Sequence, residues 1–375
     1  MMMDRREFLL GSIGAGIAAV HGGGFATAQE TESIRAMLKQ LVGVNEKVVG
    51  MVAVTVDERG THMATFGSSG VPGLTLGSDT VFEIASITKV LTSLLLADMV
   101  QRGEVAFDDP VAKYLPASLT LHQRSRAITL LDLASYTSGL PIMPDNMPPK
   151  WWTLPNPTSN YTEGKLYEFL SSYMPEYEPG TRYEYANLGF GLLGVALARR
   201  SRKSYEELLI ERVCKPLGLS HMRITLSDEM RRHLVQPHDK ELKPTPLWDM
   251  QALAGGGAFR SNARDLTVFL KACMGLKQTP LRKAMARLVE TRTPTRLAGT
   301  EAALGWFITT AKDEEFVWKT GGSGGCNSFI GFSTRNCRGA IALSNFRWND
   351  QGTINLGMKL IDPDHQPIDF TAYFT

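Results

Sequence analysis

Three short motifs, each occurring once in the 375-residue chain, stand in an order that serves one kind of reaction: Ser86-Ile-Thr-Lys89, Tyr185-Ala-Asn187 and Lys319-Thr-Gly321. An unactivated serine hydroxyl is a weak nucleophile and needs a base beside it. Lys89, three residues on, falls on the same face of a helix as Ser86. It can act as that base only if its pKa drops well below the ordinary value of about 10.4, through burial or a second cation; Lys319 is the obvious second cation. A phenol near two lysines ionises more readily, so Tyr185 can accept the serine proton and return it to a leaving amine. Asn187 supplies an amide that both donates and accepts, suited to a peptide-like carbonyl and N–H.

Ser86 opens a predicted helix that ends at Gly103, so free N–H groups and the helix dipole favour negative charge developing at the serine. Lys319 and Thr320 are suited to holding a substrate carboxylate. From Gly321 on, the strand has almost no side chains, and a substrate backbone can lie along it. The backbone N–H groups of Ser86 and Gly322 are then the candidate oxyanion hole. Each motif also has a plainer reading: a capping serine and a solvated lysine, a core tyrosine with an Asn cap, a glycine turn. The three motifs together, in order, favour the chemical reading. Gly321-Gly-Ser323-Gly-Gly325 also fits a G-x-S-x-G elbow, but its flanks read strand–strand, and the only later histidine is His365.

These residues must be positioned by the elements around them. Ile34, Met37, Leu38 and Leu41 recur at helical spacing over 31–43. Met51–Asp57 and Thr61–Phe66 read as a hairpin around Glu58-Arg-Gly60. Strands are expected at Leu304–Thr310, Glu315–Lys319, Asn327–Ser333 and Gly339–Asn345, and a short helix over 351–361. The chain between is mostly helical: 86–102, 129–136, 163–173, 188–200, 203–214 and 263–274. Two β-rich ends around a helical middle predict an α/β (α+β) fold with one antiparallel sheet built from both terminal segments. The expected division is an α/β domain from 29–105 and 290–375, with a mainly helical insertion at 106–289. Six prolines with Trp151 and Trp152 make 141–157 an irregular loop, whose tryptophans either line a cleft or pack beneath it.

Arg5 and Arg6 precede an apolar stretch from Phe8 to Val20, and Ala26-Thr27-Ala28 is a small-x-small site. Residues 1–28 therefore read as a twin-arginine export signal, with Tat machinery as partner, cleavage after Ala28 and a periplasmic destination. The stretch is too short and glycine-rich to span a bilayer, and no transmembrane segment is expected in the mature chain. A net charge of +2 without a basic block argues against a nucleic-acid partner. With no C-x-x-C or HExxH, no metal or other cofactor is expected. Of Cys214, Cys273, Cys326 and Cys337, the last two lie on adjacent hairpin strands. Symmetric pairing would set Cys326 opposite Leu343, not opposite Cys337.

On these residues the chain resembles the serine β-lactamase and penicillin-binding-protein superfamily, in its class C branch and closest to the AmpH-type D-alanyl-D-alanine carboxypeptidase/endopeptidases. Phe82-Glu-Ile-Ala-Ser86-Ile-Thr-Lys89, Asp109–Pro116, Leu133–Pro141, Tyr185–Gly189, Pro216–Leu219 and Lys319–Gly325 stand in family order, and the likeness covers nearly all of 35–360. The resemblance implies Ser86 as the acylated nucleophile and Lys89 and Tyr185 as the proton-transfer pair. It implies Asn187, Lys319, Thr320 and Gly321 at the substrate, and Gly322 beside Ser86 as oxyanion donor. The glycine-rich run after Lys319 looks peptidase-like, and Asn345 only loosely fits the class C segment that holds a β-lactam carboxylate. Nothing resembles a class A deacylating glutamate, so Lys89 and Tyr185 would serve deacylation too.

The leading expectation is a periplasmic serine DD-peptidase acting on peptidoglycan peptides and binding penicillin. A class C-type β-lactamase and an esterase of the same fold share its acylation chemistry. A non-catalytic penicillin-binding sensor is free to lose Lys89, Tyr185 or the glycine strand, all of which are present.

Overall fold

The computed structural model describes residues 23–42, 46–47, 49–311, 313–347 and 350–369. Arg5, Arg6 and the apolar stretch lie outside the described residues. Helix α1, Gly23–Val42, begins earlier than its apolar periodicity suggested and runs through the expected cleavage site at Ala28. Ile34 and Leu38 are its buried pair, and the helix covers β2.

Eight strands form one antiparallel sheet in the order β2-β1-β10-β9-β8-β7-β6-β5. β1 (Gly50–Asp57) is buried on both faces, as its run of β-branched and small apolar residues requires of a central strand. β2 (Gly60–Gly67) is the edge, and its burial alternates. The turn between them is tied by Asp57, whose Oδ1 accepts from Arg59 N at 2.8 Å and Gly60 N at 3.1 Å. β7 (Phe307–Ala311), β8 (Glu314–Gly322), β9 (Asn327–Ser333) and β10 (Gly339–Ser344) continue from the other end, flanked by the short β5 (Thr293–Pro294) and β6 (Thr300–Ala302).

Two details depart from the sequence expectation. The β9–β10 connection spans five residues, with Cys337 at a positive φ, and pairs Phe332 with Gly339. Leu343 therefore faces Ser328 rather than Cys326; all four cysteines are free thiols. A separate two-stranded sheet joins β3 (Val81–Glu83) to β4 (Arg260–Asn262). Three residues are too few to show a period, so neither strand was legible.

Helix α2, Thr88–Gln101, is buried all round from Thr88 through Met99, its polar residues included. It ends where Gly103, at φ 70, turns its N–H onto Val100 O. Helix α3 (Leu130–Ala134) starts with a Thr129–Asp132 capping box, and α4 (Glu163–Ser172) with Thr162 as its cap. α5 (Asn187–Ser201) is buried from Leu188 to Leu197. α6 (Ala254–Gly257) is a single glycine-rich turn pressed against α5; a methyl on Gly255 would stand 2.3 Å from Phe190 O. Between these two, the expected helix at 203–214 resolves into an α-helical turn, Tyr205–Leu209, and a π-helical turn, Ile210–Cys214. α7 (Ala263–Cys273), capped by Asn262, packs on the sheet over β1, β9 and β10 although it lies within 106–289. α8 (Asp350–Ile361) covers β8, β9 and β10. Trp151 sits in a 3-10 turn and packs against the core. Among the described residues, no helix is long and apolar enough to cross a membrane.

Candidate active site

From Thr80 to Met99 every residue is buried except Ser86, which alone reaches solvent. It sits not at the start of α2 but in a 3-10 turn, Ala85–Ile87, that feeds the helix. Ala85 there holds a φ of 43, an uncommon value for a residue with a side chain and one that turns the chain sharply out of β3.

Ser86 Oγ has two polar neighbours at equal distance. Lys89 Nζ donates to it at 2.9 Å, and Tyr185 Oη donates to it at 2.9 Å. Lys89 also donates to Asn187 Oδ1 at 2.7 Å and to Gly256 O at 2.5 Å. Burial holds the Lys89 ammonium well below its ordinary pKa. Desolvation, rather than a neighbouring cation, is thus the cause. The three contacts have a chemical consequence. Once Lys89 is neutral, its two N–H groups stay on Asn187 and Gly256, and the lone pair is left facing the serine hydroxyl.

Lys319 is wholly buried on β8, one residue past the end of that strand's pairing with β7. Its Nζ donates to Tyr136 Oη at 3.1 Å and to Tyr185 Oη at 3.5 Å. It lies 4.6 Å from the Tyr185 ring centroid and 4.3 Å from that of Phe307. Lys89 lies 4.9 Å from the same Tyr185 ring. Both lysines thus lie close to the phenol, and the ammonium of Lys319 at its hydroxyl favours phenolate.

Asn187 is not the helix cap; Ala186 is, and the Asn187 side chain is turned onto Lys89. Its Nδ2 meets only a thioether, Met143 Sδ at 3.6 Å, among its described hydrogen-bond partners, so a substrate carbonyl has a donor to use. β7 pairs with β8 only as far as Phe307 opposite Trp318, which leaves Lys319–Gly322 with an open edge. Ser323 N donates to Cys326 O toward β9. By strand alternation the Gly322 N–H then points to the opposite, open side, as an oxyanion donor must. Gly321 is required by contact: an added methyl would stand 2.3 Å from Ile84 O and 2.8 Å from Ser86 N. β8 thus abuts the nucleophile's turn directly.

Two residues sit differently from their expected use. Thr320 Oγ1 donates to Ser328 O at 2.9 Å, so its proton is engaged within the sheet. Asn345 is buried and fully committed: it accepts from Gly50 N at 2.7 Å and donates to Ser68 O at 3.2 Å and Gln236 O at 3.1 Å. It clamps β1 to β10 and is not turned toward a ligand. The structure also brings in Tyr136 and Gly256, neither of which had been given a role. Tyr136 lies within a quoted motif but far from Lys319 in sequence. Gly256 contributes only a carbonyl, which no side-chain motif reports. A buried Glu83 braces the hairpin beyond β8, accepting from Ser323 Oγ at 2.6 Å and Trp248 N at 2.7 Å, with Arg260 at 3.4 Å. Burial pushes its carboxyl pKa up against those partners. Among the described residues there is no cluster able to hold a metal ion.

Comparison with known proteins follows this geometry. A family model described as Beta-lactamase matches residues 34–353. The D-alanyl-D-alanine-carboxypeptidase/endopeptidase AmpH of Escherichia coli (strain K12) is 28% identical over 315 residues, 78% of each chain. A Beta-lactamase of the same organism is 32% identical over 184 residues, 48% of this chain and 45% of its own. The solved Beta-lactamase/D-alanine Carboxypeptidase from Yersinia pestis superposes with a TM-score of 0.74 at 24% identity, over 89% of this chain and 97% of its own. A class C beta-lactamase superposes with a TM-score of 0.77 at 17% identity, over 92% and 99%. These structural likenesses carry the fold.

Proposed function

The chain belongs to the Beta-lactamase family of serine hydrolases, and on that footing we propose that it is an exported, periplasmic serine DD-peptidase that cleaves D-alanyl-D-amino acid bonds of peptidoglycan peptides. The observation that carries this reading is Ser86 Oγ held at 2.9 Å by both Lys89 and Tyr185, beside a glycine strand with an open edge.

A peptide lies along Lys319–Gly322, its terminal carboxylate toward the Lys319–Thr320 end and an acyl-side carbonyl on Asn187 Nδ2. Lys89 or Tyr185 takes the Ser86 proton as Oγ attacks the scissile carbonyl. The developing oxyanion is received by the Ser86 and Gly322 N–H groups, a contribution of about 3–4 kcal/mol per donor in comparable sites. Tyr185 returns the proton to the leaving nitrogen, the C–N bond breaks, and the D-amino acid departs. Water then attacks the ester, with the same pair taking its proton, and Ser86 is regenerated. A β-lactam enters by the same first step. The likeness to AmpH over most of both chains favours the peptidase. The shorter match to a Beta-lactamase, at 32% identity over 184 residues, supports β-lactam hydrolysis as the second reading.

A time course of intact-protein mass with benzylpenicillin, with Ser86→Ala in parallel, tests the proposal. A penicilloyl adduct persisting for many minutes, together with D-alanine release from a D-alanyl-D-alanine peptide, is the peptidase result. A fleeting adduct with drug consumed in excess of enzyme makes the chain a β-lactamase. No adduct and no drug loss leaves an esterase of the same fold. Full labelling of folded Ser86→Ala would overturn Ser86 as nucleophile.

A further inference from the structure

Tyr136 has no assigned part in the reaction, yet among the described residues it is the one aromatic held at a positive φ. It is fully buried and holds a φ of 61. A bulky side chain in the left-handed region is an outlier that persists only where the surroundings over-determine it. Four rings enclose it: Tyr185 stacked at 5.2 Å and 18°, Phe190 at 5.0 Å, Phe307 at 5.6 Å and Tyr183 at 5.9 Å. Its hydroxyl donates to Gly305 O at 3.3 Å and accepts from Lys319 Nζ at 3.1 Å. Gly305 is itself wedged, at φ 77, where a methyl would stand 2.7 Å from Lys89 O.

We propose that Tyr136 is a positioning residue for proton transfer: its hydroxyl fixes the Lys319 ammonium beside Tyr185 Oη and so sets how readily Tyr185 gives and takes the serine proton. The hydroxyl has one proton and spends it on Gly305 O, so toward Lys319 it can only accept. An acceptor at that point favours the charged form of a buried lysine. Burial, with Tyr185 and Tyr183 alongside, pushes the Tyr136 phenol well above its ordinary value, so it stays a neutral O–H throughout the working range. The other titratable groups around the cluster are Lys89, 4.9 Å from the Tyr185 ring centroid, Tyr183, and the Glu184–Arg296 pair at 3.0 Å.

This inference rests on reading Ser86, Lys89 and Tyr185 as the reacting group, but its test needs no substrate. Tyrosine labelled with 13C at Cζ reports the ionisation of Tyr185 directly, with the Tyr185→Phe variant assigning the signal. Tyr136→Phe keeps the stacked ring and removes the hydroxyl, and with it the acceptor toward Lys319 and the donor to Gly305 O. Lys319 then holds its proton less firmly, and Tyr185 is expected to titrate about one pH unit higher than in the parent. Penicillin acylation at neutral pH should slow about tenfold, with KM little changed. In a Lys319→Met background the same substitution should move Tyr185 no further. A Tyr185 titration unmoved by Tyr136→Phe would overturn the proposal, and so would a shift that survives in Lys319→Met. If Tyr136→Phe does not fold, fluorinated tyrosine at position 136, a weaker acceptor of the same shape, gives the same comparison with a smaller expected shift. Failure of penicillin to label the parent would sink the peptidase reading and leave this titration standing.

Discussion

Gly321→Ala probes how β8 and the nucleophile's turn are held together. The added methyl would lie 2.3 Å from Ile84 O, 2.6 Å from Ser328 Oγ and 2.8 Å from Ser86 N. Ordinary carbon contacts begin near 3.5 Å, so the two segments must part by about 1 Å. Neither side yields easily. Ile84 O already accepts from Ser328 Oγ at 2.9 Å, and Ile84 N donates to Phe259 O at 3.1 Å. Overpacking of this kind costs about 1–3 kcal/mol of stability. The kinetic effect should be larger, because the two proposed oxyanion donors ride on the two segments being separated. A 1 Å misplacement in such a site lowers the rate by about 100-fold. Stopped-flow acylation by a chromogenic cephalosporin, beside thermal unfolding, reads both effects. Gly77→Ala is the control, since a methyl there meets nothing within 4 Å. If Gly321→Ala acylates within about threefold of the parent and melts with it, β8 does not abut Ser86 and the oxyanion assignment falls.

Burial depresses the Lys89 pKa well below its ordinary value, so the acylation rate should rise with pH through that depressed pKa and fall away below it; a pH profile left unchanged by Lys89→Met would refute Lys89 as base. Lys89→Met, which fits the same buried space, should fold normally and acylate about a thousandfold more slowly. Asp109 should act on stability alone. Burial raises its carboxyl pKa, but hydrogen bonds from Lys113, Tyr114 and Ala106 N outweigh that and bring it to about 2. A lowered carboxylate stabilises above its unfolded pKa and loses that contribution as pH falls from about 4 to about 2. Asp109→Asn should therefore cost about 1–2 kcal/mol at pH 7 in urea titration, the partner Lys113 being exposed, and nothing near pH 2. Asn345→Ala should destabilise by about 2–4 kcal/mol while leaving KM for a carboxylate-bearing substrate unchanged; a raised KM with unchanged stability would restore Asn345 to the substrate site.

What was legible in the sequence was what local pattern can encode. Asn327–Ser333 reads as a buried run bounded by turns, and those are the bounds of β9. The helices expected at 163–173 and 263–274 are found at Glu163–Ser172 and Ala263–Cys273, where the structure adds the caps Thr162 and Asn262. Ser86 and Lys89 are three apart, so one turn of chain brings them together. The features that escaped are those made by chain segments meeting from afar. Tyr136 reaches Lys319 across 183 positions, and Gly256 reaches Lys89 across 167. The second contact is a bare carbonyl with no residue type to betray it. The positive φ of Ala85, which moves Ser86 off the helix and into a 3-10 turn, has no signature in an alanine. Register failed for a similar reason: a five-residue connection at 334–338 offsets the β9–β10 pairing by two positions, and apolar alternation is blind to shifts of two.

The pairing of β1 with β10 has a consequence for how the molecule comes into being. Val52 sits across from Leu343, and Asn345 ties Gly50 to a segment 295 residues away. While the ribosome is still making the middle of the chain, β1 has only the edge strand β2 for a neighbour, a two-stranded ribbon that is marginal by itself. Ser86 is then already made, but β8, its lysine and its oxyanion donor are not. The sheet, and with it the reacting group, can assemble only after the last strand has emerged, and closing so long a loop makes that step slow. A stop codon placed anywhere before residue 339 should thus yield no partially active enzyme, only a chain whose β1 has lost its central neighbour.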